Sequence, residues 1–164
     1  MDKLWAPWRS AYVKKINRKQ TGCLFCRIYA KKIDDKKNFV VCRSEYAYAV
    51  LNIYPYNNGH VLIIPNRHVD DTSKLKKNER DDLYNLLEEI KLLLKKVMKV
   101  NGFNIGINLG KDAGAGFPGH VHIHVVPRWR GDVNFMPVTA DTKVISQSLT
   151  EVHKQLVDEY KKRH

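Results

Sequence analysis

Apolar residues along the chain first alternate as in strands and then lengthen to a helical period. Residues 39–42 and 46–51 are rich in β-branched and aromatic side chains and flank a polar turn, Arg43-Ser44-Glu45, which predicts two paired strands. Pro55 and Asn57-Asn58-Gly59 interrupt the pattern before a third apolar run at 60–64, closed by Pro65. These three runs predict antiparallel neighbours. From Asn78 the spacing changes: Leu83, Leu86, Leu87, Ile90, Leu94 and Val97 line one side of a helix, with Asn78 as N-cap, Asp81 and Asp82 in the first turn, and Gly102 at the exit. Phe103, Ile105, Ile107 and Leu109 then alternate with small or polar residues, the signature of a strand with one buried face. A glycine-rich segment, 110–119, leads into a second alternation at 120–126. From about Asp141, the residues Ile145, Leu149, Val152, Leu156 and Tyr160 fall on one helical face, and a shorter helix is predicted over 22–30, followed by a loop at 31–37. No repeat or low-complexity linker divides these elements, so the pattern predicts one α+β domain built on an antiparallel sheet.

Composition narrows the class. The chain has 164 residues, 43% hydrophobic and 28% charged, which fits one packed domain and argues against a disordered or collagen-like chain. No apolar stretch reaches the ~18 residues of a membrane span, and charge interrupts residues 1–18 too often for a signal peptide, so a cytoplasmic location is expected. Three cysteines, Cys23, Cys26 and Cys42, cannot all pair. Net charge is +12, and residues 1–37 hold 11 Lys/Arg against 3 Asp/Glu. Such a field favours anionic partners without choosing among nucleotide, nucleic acid and membrane surface. The aromatic stretch Leu4-Trp5-Ala6-Pro7-Trp8-Arg9 is expected to pack on the body or on a second subunit.

The sharpest chemical feature is His120-Val121-His122-Ile123-His124, three imidazoles at alternate positions. A strand sends such residues to one face at about 6.6 Å intervals, leaving Val121, Ile123 and Val125 to face the helices. A polar row on a solvated sheet face is the plainer explanation for any single histidine, but it fits three in register behind a glycine loop poorly. The loop carries four glycines in ten residues and no β-branched residue, so its backbone N–H groups can approach an anion such as phosphate. Gly110-Lys111 lacks the GxxxxGK[ST] spacing, so the phosphate seat is not a P-loop. A histidine neutral near pH 7 can attack phosphorus, while neighbouring imidazoles stabilise the charge that develops.

His120-Val121-His122-Ile123-His124-Val125-Val126 resembles the His-φ-His-φ-His-φ-φ signature of the histidine triad (HIT) superfamily of nucleotide hydrolases and transferases. Gly59-His60-Val61-Leu62-Ile63-Ile64-Pro65, with Asn52 eight residues upstream of His60, is similar to that family's ribose-binding strand and its Gly-His segment. Cys23-Leu24-Phe25-Cys26 is similar to its N-terminal Cys-φ-Phe-Cys. The Trp-Ala-Pro-Trp segment and Pro127-Arg128-Trp129 resemble the bacterial branch that acts on diadenosine tetraphosphate. The resemblance implies a single HIT domain over 1–164, with 1–21 as an N-terminal extension and 138–164 as a C-terminal helical segment. The implied fold is a five-stranded antiparallel sheet with a long central helix and a C-terminal helix.

The implied roles follow position by position. His122 is the nucleophile that takes the nucleotidyl α-phosphate, His120 fixes its ring through the backbone, His124 contacts phosphate oxygens and His60 completes a quartet. Asn52 holds the ribose hydroxyls with Leu51 and Ile53 near the base, and Asn108 contacts phosphate or leaving group. Relatives carry a Gln-Ser or Gln-Thr pair before the triad where this chain has Gly116-Phe117-Pro118-Gly119, so backbone N–H groups of Gly114, Ala115 and Gly116 stand in for the hydroxyl. Trp129 is divided between purine stacking and packing. The Cys23/Cys26 spacing alone supplies half a tetrahedral zinc site; the resemblance implies His68 and His120 as the other two ligands. A reduced pair in a small core is the alternative, and no βαβ pattern supports a thioredoxin-like role. Mg2+ accompanying the polyphosphate, a homodimer joined edge to edge, and no membrane partner complete the expectation. A nucleoside phosphoramidate hydrolase and a non-catalytic basic binding protein are the competing functions, although no nucleic-acid module is present. Turnover of diadenosine tetraphosphate separates the enzyme from the binder.

Overall fold

The computed structural model describes residues 22–132, 145 and 147–164. Five strands form one antiparallel sheet: β1 (Val40–Arg43), β2 (Ala47–Leu51), β3 (Val61–Pro65), β4 (Gly102–Ile107) and β5 (Ile123–Arg128), in the order β1-β2-β3-β5-β4. The pairings Leu51↔Val61, Leu62↔His124 and Gly106↔His124 put even-numbered residues of β2 to β5 on one face and odd-numbered residues on the other. A register shift between Val40 and Cys42 in β1 moves even-numbered Cys42 onto the odd face, where it joins the main core.

The odd face carries the main core. Leu86, Leu87, Ile90, Leu93 and Leu94 of α2 (Lys77–Met98) and Val152 and Leu156 of α3 (Leu149–Arg163) pack against Ala49, Ile63, Ile123 and Val125. The even face is covered at one end by α1 (Leu24–Ala30), whose Phe25 and Ile28 meet Tyr48, Val50, Leu62 and Ile64. The buried Tyr48 hydroxyl donates to the Phe25 carbonyl at 2.8 Å, tethering that helix to the sheet. The remainder of the even face is where the histidines stand.

Several boundaries differ from the sequence pattern for identifiable reasons. The last strand starts at Ile123, not His120. Pro65 lies opposite Val121 in the register and has no N–H to extend the ladder, and its carbonyl is taken by the His120 ring. Helix α2 begins before Asn78: the Glu79 carboxylate, gripped by Arg67, accepts from the Lys76 N–H at 2.7 Å, making Lys76 the N-cap. It ends at Lys99 in the left-handed conformation (φ 52°), and Gly102 instead opens β4. Strand β4 does not bury a face. Ile105, Ile107 and Leu109 are 44%, 39% and 40% exposed, because α2 packs over β2, β3 and β5 and stops short of this edge strand. Ser148 caps α3, so Ile145 precedes the helix. His153 is buried rather than solvated; its Nε2–H donates to the Val40 carbonyl at 2.8 Å. The expected packing of Trp5 and Trp8 and the start of the 138–164 segment lie outside the described residues. Among the described residues, no helix is long and apolar enough to cross a membrane.

Candidate functional site

The even face gathers His124 of β5 with Asn52, His60 and His122, which stand one residue beyond the ends of β2, β3 and β5. Asn52 and His60 are one step past the last β2–β3 pair, and the Asn52 N–H donates to the His60 carbonyl at 2.8 Å. His124 sits opposite Leu62, diagonal to His60. Asn108, half-buried, falls one position past the last β4–β5 pair, opposite His122. Gly106 opposite His124 has no atom within 4 Å of where a Cβ would stand, so the face is open there.

Hydrogen bonds assign the tautomers. The His122 Nδ1 lies 2.9 Å from the His120 carbonyl and must donate to it, which leaves the ring's lone pair on Nε2. Burial pushes the His122 pKa below the ordinary imidazole value, against the opposing pull of that carbonyl, so the ring is neutral near pH 7. The Tyr56 N–H donates to His60 Nδ1 at 3.1 Å, so the His60 proton is on Nε2 and goes to His124 Nδ1 at 3.0 Å. His124 in turn carries its proton on Nε2. A buried lone pair beside a buried N–H donor is an arrangement suited to nucleophilic attack on phosphorus with support for the oxygens.

His120 turns away from this pair into a second cluster. Its Nε2–H donates to the Pro65 carbonyl at 2.9 Å, and its Nδ1 lone pair is 3.3 Å from Cys23 Sγ, 3.7 Å from Cys26 Sγ and 3.3 Å from His68 Nδ1. Cys26 Sγ is 3.3 Å from His68 Nδ1, and the four donor atoms lie within 4.8 Å of one another. Two thiols and two imidazoles at these separations fit a tetrahedral metal with bonds of about 2.0–2.3 Å, and the carbonyl that fixes His120 is the outer contact such ligands use. Burial, followed by the neighbouring His68 and His122, lowers the His120 pKa to about 4, which keeps its nitrogen available as a ligand. Cys42 is apart from this group; burial raises its thiol to about 12.

Other expected site residues are placed elsewhere. Leu51 is 2% exposed within the main core on the opposite face of the sheet and cannot meet a base beside Asn52. Ile53 is exposed next to Asn52. Trp129 is also on the odd side, where its indole N–H donates to the Met98 carbonyl at the end of α2; it packs and does not stack on a ligand at the histidines. In the glycine loop, the Gly114 N–H bonds the Lys111 carbonyl and the Ala115 N–H the Gly110 carbonyl, so two of the three amides expected to face phosphate are used within the loop. Gly116 adjoins them, and Phe117 packs edge-on against Phe25.

Two neighbours of the histidines escaped sequence reasoning. Tyr56 stacks on His124 at 5.6 Å and tilts against His60 at 4.7 Å; a lone loop aromatic between Pro55 and Asn57 has no periodicity to mark it. Phe25 touches both His120 and His122. Its position inside the CxxC was the available signal.

The profile of the HIT domain matches residues 34–131. An AP-4-A phosphorylase of Mycobacterium tuberculosis is 35% identical over 165 residues, covering 98% of this chain and 85% of that protein. An asymmetrical bis(5'-nucleosyl)-tetraphosphatase of Schizosaccharomyces pombe is 38% identical over 93 residues, 57% of this chain and 50% of that protein. In fold, the chain resembles a zinc-bound histidine triad family protein of Mycobacterium smegmatis, with a TM-score of 0.68 at 24% identity, covering 87% of this chain and 98% of that one.

Proposed function

The chain belongs to the HIT domain family, and from that premise we propose that it is an enzyme cleaving dinucleoside polyphosphates at the α-phosphate through a nucleotidyl intermediate on His122. The observation that carries this reading is the Nδ1–H bond to the His120 carbonyl, which leaves a buried, neutral Nε2 lone pair beside the His60–His124 pair. With diadenosine tetraphosphate, Nε2 bonds to the α-phosphorus as the bridging P–O bond breaks, and ATP leaves as the anion. Water then releases AMP and a proton, or inorganic phosphate releases ADP. His124 Nε2–H donates to a phosphate oxygen, Asn52 binds the ribose hydroxyls, and Asn108 and Gly116 lie along the leaving polyphosphate. The relatives' names support both acceptors, phosphate in one and water in the other.

Cys23, Cys26, His68 and His120 are assigned as ligands of zinc, supported by their donor set and by the zinc-bound structural neighbour. Held by these four residues, zinc would tie the start of α1 to the segments after β3 and before β5, a structural role. The exposed row Ile105, Ile107 and Leu109 on the sheet edge is assigned to a homodimer contact, and a cytoplasmic location accompanies this reading. Incubation with diadenosine tetraphosphate, with and without phosphate, tests the function. Wild type yields ATP with AMP or ADP, and His122→Ala loses turnover while binding AMP. Equal turnover by both proteins removes His122 from the mechanism.

A further inference from the structure

The His122 ring touches His124 on the site side, at 4.9 Å between centroids, and its two other contacts come from the Cys/His cluster or the turn that carries it. One is the His120 carbonyl, which accepts from Nδ1. The other is Phe25, which lies between Cys23 and Cys26 in the first turn of α1 and is 2% exposed. Its ring centroid is 5.0 Å from His122 at 55°, 5.5 Å from His120 at 84°, and 5.2 Å from Phe117 of the glycine loop at 63°. The Phe25 carbonyl is fixed by the Tyr48 hydroxyl, but Cys23, at the N-cap, has no side-chain capping bond. The two sulfurs therefore hold the first turn of this short helix together with the Tyr48 tether. A close-packed ring passes a shift of that turn directly to its neighbours. Ile28, Val50 and Leu62 already fill the apolar layer under α1, whereas Phe25 reaches the nucleophile as well.

We infer that Phe25 is a positioning residue that, alongside the His120 carbonyl, passes the geometry of the Cys23/Cys26/His68/His120 cluster to the His122 ring and links that ring to the glycine loop. This rests on the assignment of His122 as nucleophile. The link has a thermodynamic consequence: a nucleotide that engages His122 tightens the cluster's hold on its metal, and the metal tightens nucleotide binding by the same factor. No proton or electron moves between the sites.

The test uses zinc-loaded protein in a competition titration against a chromophoric chelator, with and without AMP, for wild type and Phe25→Leu. AMP is expected to tighten zinc about fivefold or more in wild type and by less than about twofold in Phe25→Leu. The variant keeps a stoichiometric zinc, and its kcat on diadenosine tetraphosphate falls roughly 10- to 100-fold while KM changes by less than about threefold. If Phe25→Leu does not give a cooperative melt, Phe25→Met takes its place with the same readouts. The inference is overturned if AMP leaves wild-type zinc affinity unchanged, if it tightens zinc equally in the variant, if the variant loses KM rather than kcat, or if the protein takes up no zinc. Full turnover by His122→Ala, by contrast, defeats the catalytic assignment and leaves the zinc titration as a separate result.

Discussion

At the scale of single residues, the histidines are distinguished by what each ring nitrogen faces. His120 and His122 are two positions apart, yet one turns its Nδ1 toward thiols and the other donates Nδ1 to a carbonyl. The His-x-His-x-His spacing displays three imidazoles but not this division, which depends on Pro65 and Cys23 arriving from distant parts of the chain. Burial also has a measurable effect on stability. His120 is held neutral down to about pH 4 in the folded protein, while an unfolded histidine takes up its proton near pH 6.5. The unfolded state therefore binds the extra proton between these values, so the contribution of His120 to stability is fully present above pH 6.5 and is lost as pH falls toward 4. Denaturant midpoints of metal-stripped protein are expected to decline across that window, and His120→Gln to flatten the decline. A wild-type midpoint that is level from pH 6.5 to 4 contradicts the assignment.

At the scale of elements, strand parity decides which residues meet. The period-2 pattern correctly separated Val121, Ile123 and Val125 from the histidines, and it paired the first three strands. The same parity, applied to residues 51 and 52, sends Leu51 into the core and Asn52 to the site, and it puts Trp129 behind the sheet. Trp129→Phe is accordingly expected to weaken stability by about 1 kcal/mol, the loss of one hydrogen bond, and to leave KM for the nucleotide unchanged; a large rise in KM contradicts its placement. Gly59 matters differently. It has φ +70°, and an added Cβ would lie 2.6 Å from Met98 Sδ and 3.3 Å from Leu94 Cδ2. Met98 is pliable, so most of the cost is backbone strain, and Gly59→Ala is expected to destabilise by about 1–3 kcal/mol in urea unfolding. It should also lower activity, because His60 follows directly. Unchanged stability and activity would show that this turn is not needed to set His60. The start of α2 was not legible because Glu79, whose carboxylate accepts from the Lys76 N–H at the N-cap, is held by Arg67 from outside the helix.

At the scale of the whole molecule, the alternation in β4 gave the strand and misjudged its surroundings. Ile105, Ile107 and Leu109 have the pattern of a buried face, but no helix of the described chain covers them. Local sequence reports that a face is apolar and is silent on which chain buries it. In the homodimer proposed above, Ile107→Glu is expected to shift the protein to monomer in sedimentation velocity and to leave the fold intact by circular dichroism. A wild-type monomer at micromolar concentration would contradict that assignment. The sheet, with α2 and α3 on one side and α1 on the other, keeps the histidine face open where α1 ends. In the proposed function, this arrangement presents the Nε2 lone pair of one buried imidazole, His122, to the α-phosphorus. The most direct measurement of that claim is rapid quenching of the protein with diadenosine tetraphosphate into base, followed by peptide mass mapping. An adenylyl group is expected on the Nε2 of His122, absent from His122→Ala; an adduct on His120, His124 or His60, or turnover with no adduct in a protein lacking His122, would contradict the assignment of His122 as nucleophile.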